Sequence, residues 1–171
     1  MQQIDQSLPE DKKELYALLD KQLIALIGDE KDAIANMANF TSLLYHSLNE
    51  INWLGFYLYK GGELVLGPFQ GKPACIRITL GQGVCGTAAK KQETVVVNNV
   101  HEFEGHITCD IASNSEIVVP ILHKKKIYGV LDIDSPSYTR FDEDDKIGLE
   151  KLVATLKKKS DLDKETDYFM F

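Results

Sequence analysis

The residues of this chain best suited to chemistry are three cysteines and three acids. Cys75, Cys85 and Cys109 are separated by 9 and 23 residues, a spacing that fits neither a CxxC motif nor a zinc ribbon. The count is odd, so a structural disulfide framework is not expected. Redox use of a thiol stands beside the plainer reading of a small buried apolar residue. The acids come together through strand register. Ser115–Leu122 and Ile127–Ser135 read as a β-hairpin, with Ile117, Val119 and Ile121 sharing one face with Ile127, Leu131 and Ile133. A one-residue slip would expose a whole apolar set. The opposite face then carries Glu116 and Val118 on one strand, with Tyr128, Val130, Asp132 and Asp134 on the other.

Three carboxylates this close need a bound cation, or one of them must hold a proton at neutral pH. Such a face has three readings: a solvated surface, an oxygen-ligand site for a divalent metal, or a small-molecule site. The strand Asn52–Tyr59 bears on the choice. Leu54, Phe56 and Leu58 point one way, and Trp53, Tyr57 and Tyr59 point the other. If that strand joins the same sheet in the same sense, the pocket is aromatic on one side and acidic on the other. That combination suits a ligand with an apolar end and an amine.

Positioning these side chains requires a sheet with helices behind it. Ser7-Leu8-Pro9-Glu10-Asp11 reads as a helix start, followed by Leu15, Leu18, Leu19, Leu23 and Leu26 at helical spacing. A second helix is expected from about Lys31 to Leu48. Lys60-Gly61-Gly62 turns the Asn52–Tyr59 strand into a partner over Glu63–Phe69, and Cys75–Ile78 reads as a short strand. Gly81-Gln82-Gly83 leads into a short helix, Val84–Lys91, and Thr94–Val97 is a further strand. Asn98 to Asn114 is an irregular stretch of the length that usually serves function. Asp142–Lys159 closes the chain as an amphipathic helix, and the tail ends on Tyr168-Phe169-Met170-Phe171, aromatic enough to tuck onto the domain or a partner.

The expected fold is therefore α+β: a central antiparallel sheet of about six strands, with N- and C-terminal helices on one face and a pocket on the other. One domain over 1–171 is expected, with front helices in 1–50, sheet and pocket in 52–136 and the closing helix in 142–159. The net charge of −7 argues against a nucleic-acid partner. No apolar run is long enough for a membrane span, and the N-terminus lacks the pattern of a signal peptide, so a cytoplasmic protein is expected. The front helices offer a surface for a homodimer.

With the residues placed, the chain resembles a GAF domain, and more closely the free methionine-(R)-sulfoxide reductase family, over about residues 30–157. The resemblance rests on Asn52-Trp53-Leu54-Gly55-Phe56-Tyr57, Gly67-Pro68-Phe69-Gln70-Gly71, Cys75-Ile76-Arg77-Ile78, Gly81-Gln82-Gly83-Val84-Cys85-Gly86, His106-Ile107-Thr108-Cys109-Asp110, Ser113-Asn114-Ser115-Glu116 and Leu131-Asp132-Ile133-Asp134-Ser135. It implies that Cys109 attacks the substrate sulfur and that Cys75 or Cys85 resolves the sulfenic acid, with Cys75 the first choice. It implies further that Glu116, Asp132 and Asp134 hold the ammonium and sulfoxide groups, that Trp53 and Tyr57 meet the methylthio end, and that a thioredoxin-type dithiol recycles the enzyme. No metal or organic cofactor is implied. One tension stands: Asp110 and the three acids oppose a thiolate at Cys109, and His106 is the nearest counter-charge in sequence, unless it is incidental. Two other classes compete, a non-enzymatic GAF sensor of a small ligand and a metal-binding protein using the cysteines and acids.

Overall fold

The computed structural model describes residues 8–105 and 111–163. The chain runs α1 (Lys12–Ile27), α2 (Ala33–Tyr45), β1 (Trp53–Lys60), β2 (Glu63–Gly71), β3 (Arg77–Thr79), α3 (Gly83–Lys91), β4 (Val95–Val97), a 3₁₀ turn (Val100–Glu102), β5 (Ser115–His123), β6 (Lys126–Ser135) and α4 (Glu143–Lys159). The strands form one antiparallel sheet in the order β3-β2-β1-β6-β5-β4. This is the α+β arrangement the sequence leads one to expect.

Both sheet faces are buried, by different partners. On one face Leu54, Phe56 and Leu58 of β1, Ile117, Val119 and Ile121 of β5, and Leu131 and Ile133 of β6 pack with Leu19 and Leu23 of α1, Met37, Phe40 and Leu44 of α2, and Leu149, Leu152 and Leu156 of α4. On the other face the short helix α3 covers Trp53, Tyr57, Val118 and Val130 with Val84, Cys85, Ala88 and Ala89. The site forms on this second face, where the cover is only partial.

Several element edges depart from expectation for local reasons. Asp11, not Ser7, caps α1: its carboxylate accepts from the Glu14 N–H at 3.0 Å. Ser7 lies outside the described residues. Helix α2 starts later than Lys31, because Asp32 caps it through the Ala35 N–H, and it ends at Tyr45. The strand expected at Cys75–Ile78 is β3, Arg77–Thr79, and Cys75 lies in the loop before it. The Cys75 carbonyl accepts from the Tyr57 hydroxyl rather than from a strand neighbour. The register expected for β5 and β6 holds from Glu116–Asp134 to Ile121–Gly129 and then shifts, so that Leu122 opposes Ile127. Tyr128 is the extra residue of that bulge. In consequence Ile127 packs on the α3 side and Tyr128 on the helix side, the reverse of the expected assignment.

The front and closing helices are tied by one buried acid. Asp145, in the first turn of α4, is 1% exposed. Its carboxylate accepts from the Tyr16 hydroxyl at 2.9 Å, from the Lys12 ammonium and from the Arg140 guanidinium at 3.2 Å. It also completes a capping box with Asp142. For Asp142, burial alone would raise the carboxyl pKa. The Lys12 ammonium and the Asp145 N–H outweigh it and hold the group down at about 2. One turn further on, the Tyr16 ring lies flat against Gly148, where an added Cβ would sit 2.2 Å from ring carbon Cγ. Gly148→Ala should therefore destabilise the fold by about 1–3 kcal/mol through overpacking. Urea unfolding would show this as a lower midpoint at unchanged slope, and an unchanged midpoint would mean that α1 and α4 slide apart freely.

Candidate active site

The site is built in rows across β1, β6 and β5. Directly paired residues share a face, so the pairs Trp53–Asp134 and Asp134–Glu116 make one row, and Gly55–Asp132 and Asp132–Val118 make the next. Tyr57 and Val130 form the third. The three acids and the two aromatic residues picked from the sequence thus lie on one face, as the hairpin register requires. Gly55 matters because it is empty: an added Cβ would sit 2.5 Å from the Trp53 ring, which folds down over it. That lets Trp53 lie between Tyr57 and Phe69, with ring centroids 5.8 and 5.4 Å away, both nearly parallel.

The polar tips of the aromatic wall are used. Trp53 Nε1–H donates to the Lys72 carbonyl and the Tyr57 hydroxyl donates to the Cys75 carbonyl, each at 3.1 Å. Burial, then the neighbouring Asp132, raises the Tyr57 pKa, so the phenol keeps its proton and remains a donor. The wall therefore fixes the 72–75 loop as well as lining the pocket. The end of the sheet that bears Glu116 and Asp134 is cross-tied by the neighbouring polar residues. The Asn52 N–H donates to the Asp134 carbonyl and its side-chain amide to Ser113 Oγ, both at 3.0 Å. The Asn114 N–H donates to the Ser135 carbonyl at 2.7 Å, and Ser115 Oγ donates to the Ser137 carbonyl at 2.6 Å.

Above the acids sits the start of α3. Positive φ at Gly81 and Gly83 turns the chain sharply into the helix. Gln82 is the N-cap but its side chain makes no capping bond. The first turn, Gly83-Val84-Cys85, lines the pocket at the positive end of the helix, and the Gly83 N–H donates to the Gly105 carbonyl at 3.2 Å. The cavity holds about 560 Å³ of empty space including its open mouth, between Trp53 and Tyr57 on one side and Glu116, Asp132, Asp134 and Cys85 on the other. The sequence reading did not single out Gln82, Lys72 or Ser113 as individual lining residues. Gln82 and Ser113 lie inside motifs it quoted. Lys72 is a lone surface-type lysine with no pattern to mark it.

Cys85, Glu116 and Asp132 are 4, 6 and 6% exposed, and their Sγ and carboxylate oxygens all lie within 4.8 Å of one another. Burial first, and then the charges of Asp132 and Asp134, holds the Glu116 carboxyl well above the usual carboxylate range. Burial pushes Asp132 up to about 6, with hydrogen bonds from Cys85 and Glu116 pulling partly back. Near neutrality Glu116 is therefore a proton donor beside an ionised Asp132. Cys85 is pushed well above an ordinary thiol, by burial first and then by Asp132 and Glu116. It stays a thiol although it occupies a helix N-terminus. Asp132 Oδ1 is buried and has no hydrogen-bond partner among the described residues. Cys75 is disulfide-bonded, whereas Cys85 is a free thiol. Cys109 and His106 lie outside the described residues.

An acid whose pKa is raised by folding favours the native state fully only below its unfolded pKa, and that contribution is lost as pH rises through the folded value. For Asp132 the window runs from 3.8 to about 6, a loss of about 3 kcal/mol by neutral pH. Asp132→Asn should thus be more stable than the parent at pH 8, with the gain shrinking as pH falls towards 4. Thermal unfolding across that range checks it; a variant equally destabilised at both ends would mean the carboxylate is paired rather than stranded.

The site and fold have counterparts. Residues 38–157 match the model of the GAF domain family. The free methionine-R-sulfoxide reductase of Escherichia coli is 52% identical over 86% of this chain and 90% of its own length. The enzyme of the same name from Saccharomyces cerevisiae is 43% identical over 86% of this chain and 87% of its own. A crystal structure of free methionine-R-sulfoxide reductase from Neisseria meningitidis in complex with its substrate superposes with a TM-score of 0.88 at 42% identity, covering 93% of this chain and 95% of that one. Identity of this depth, carried across nearly the whole of both chains, means that this chain belongs to the GAF domain family and, within it, to the oxidoreductases known as free methionine-R-sulfoxide reductases.

Proposed function

We propose that the chain reduces free L-methionine-(R)-sulfoxide to L-methionine with its own cysteines. The observation that carries the reading is one row across the sheet, Trp53–Asp134–Glu116, which sets an aromatic wall against carboxyl groups in a single pocket. In that pocket the methylthio group lies against Trp53 and Tyr57, and the ammonium is met by Asp132 and Asp134. The substrate carboxylate faces the Val84 and Cys85 N–H groups in the first turn of α3.

Glu116, which keeps its proton near neutrality, serves as the acid. The Cys109 thiolate attacks the sulfoxide sulfur while Glu116 protonates the sulfoxide oxygen. That oxygen passes to the cysteine, methionine leaves, and Cys109 becomes a sulfenic acid. The Cys75 thiol condenses with it, forming a disulfide and releasing water, and an external dithiol of the thioredoxin kind reduces the disulfide. Two observations favour Cys75 over Cys85 as the resolver. Cys75 is engaged in a disulfide, and Cys85 is a buried thiol held protonated by its acidic neighbours. The bound ammonium also relieves the tension seen in the sequence, because it supplies positive charge where the acids alone would oppose a thiolate.

The reading is tested first by substrate. The acids meet a charged α-ammonium, and a peptide amide lacks that charge. Free methionine-R-sulfoxide should be consumed, the S epimer should not, and the same group inside a peptide should react poorly. Comparable rates on free and peptide-bound substrate would assign the acids another task. Asp134→Ala removes a charged hydrogen-bond partner, so kcat/KM should fall roughly 10- to 100-fold.

Cysteine roles are tested by single turnover without external reductant. Cys109→Ser should release no methionine. Cys75→Ser should release about one equivalent and then stall as a sulfenic acid that dimedone can trap. A normal first equivalent from Cys109→Ser would transfer the nucleophile's role to Cys85.

A further inference from the structure

The pocket floor adds to its acids a buried thiol, Cys85, that the proposed reduction does not use. A sulfur and two carboxylates from three different elements, α3, β5 and β6, converge with their donor atoms within 4.8 Å of one another. All three residues are more than nine-tenths buried. One donor, Asp132 Oδ1, has no hydrogen-bond partner among the described residues, which is costly for a buried carboxylate oxygen and marks a place where a positive group belongs. The cluster lines the open pocket, so an ion can reach it.

We propose that Cys85, Glu116 and Asp132 form a zinc site, with water entering from the pocket as the fourth ligand. Metal–donor distances of about 2.3 Å to sulfur and 2.0–2.2 Å to oxygen require donors roughly 3.5 Å apart around a tetrahedral ion. The donor atoms, all within 4.8 Å of one another, draw in to that spacing on binding. The donor set selects the metal. A thiolate beside two carboxylates is too soft for magnesium or calcium and suits zinc. On binding, the Cys85 thiol and the Glu116 carboxyl release their protons, and the ion neutralises the charge that makes the cluster unfavourable when empty. The ion then occupies Asp132, assigned above to the substrate's ammonium, and Glu116, assigned to the sulfoxide oxygen, so zinc and the amino acid exclude one another. This last step rests on the proposed function, whereas the zinc site itself does not.

The experiment uses the oxidised protein, in which Cys75 is tied up in its disulfide and Cys85 remains a free thiol. Equilibrium dialysis should find one Zn²⁺ per chain. Cobalt(II) in its place should show the thiolate charge-transfer band and the intense visible bands of a tetrahedral site. Cys85→Ser should abolish the charge-transfer band, and Glu116→Gln and Asp132→Asn should each weaken Zn²⁺ binding about tenfold or more. Circular dichroism of each variant confirms that it folds, and any one folded variant suffices. Free methionine should bleach the cobalt bands, with glycine at equal concentration correcting for chelation in solution. No stoichiometric binding by the parent, or undiminished binding by a folded Cys85→Ser, overturns the zinc site. Intact, Cys85-dependent binding in a protein that fails to reduce methionine-R-sulfoxide overturns the functional reading and leaves the zinc site standing. Bands that methionine does not bleach overturn the mutual exclusion.

Discussion

Carboxyl groups are buried on a sheet face that is otherwise apolar, and the rest of the site follows from that burial. The antiparallel pairing of β6 between β1 and β5 sets Asp134 directly opposite both Trp53 and Glu116, with Asp132 one row on. Acids directly opposite each other on neighbouring strands repel, and taking them out of water adds to the cost. The chain meets that cost from the other face of the same strands, where Leu54, Phe56, Ile117, Leu131 and Ile133 are fully buried against three helices. Each such side chain contributes on the order of 1.5–3 kcal/mol, so the stranded Asp132 is tolerable. Removing Glu116 or Asp132 would relieve that repulsion.

The same burial fixes the protonation state of Cys85. A helix N-terminus favours a thiolate by about 0.3–1 kcal/mol at an exposed position. At Cys85 the opposing effect is complete burial beside two acids, and it is larger, so the thiol stays protonated. Cys75 lies in a loop hung from the aromatic wall by the Trp53 and Tyr57 hydrogen bonds. Trp53 and Tyr57 therefore do two things. Their faces line the pocket, and their tips hold the backbone that presents Cys75.

The remaining architecture keeps the sheet in register. Asp145 draws Lys12, Tyr16 and Arg140 together and so joins the first helix, the last helix and the segment between β6 and α4. Arg140 also donates from Nε to the Asn49 carbonyl, which ties the same segment to the lead-in of β1. The Ser113–Ser115 run and Asn52 then lock the acid-bearing ends of β1, β5 and β6 to one another.

Two regularities were legible in the sequence. Period-2 alternation in Asn52–Tyr59 and in the Ser115–Ser135 hairpin determined which side chains share a face, because one face had to be apolar throughout. Alternation therefore puts Glu116, Asp132 and Asp134 on one face of the hairpin and Trp53 with Tyr57 on one face of their strand, while the pairing of β1 with β6 brings the two sets together. Helical spacing likewise marked the front and closing helices. Alternation is blind to bulges, so Ile127 and Tyr128 were assigned to the wrong faces, and local cap signals could not choose between Ser7 and Asp11. Tertiary structure alone decided what α3 covers. No pattern in Gly83-Val84-Cys85 says that this turn closes over Asp132. Without that contact, neither the raised pKa of Glu116 nor the protonated state of Cys85 could be read. Periodicity records which face a residue belongs to, and the energy of a buried charge depends on what is packed against that face.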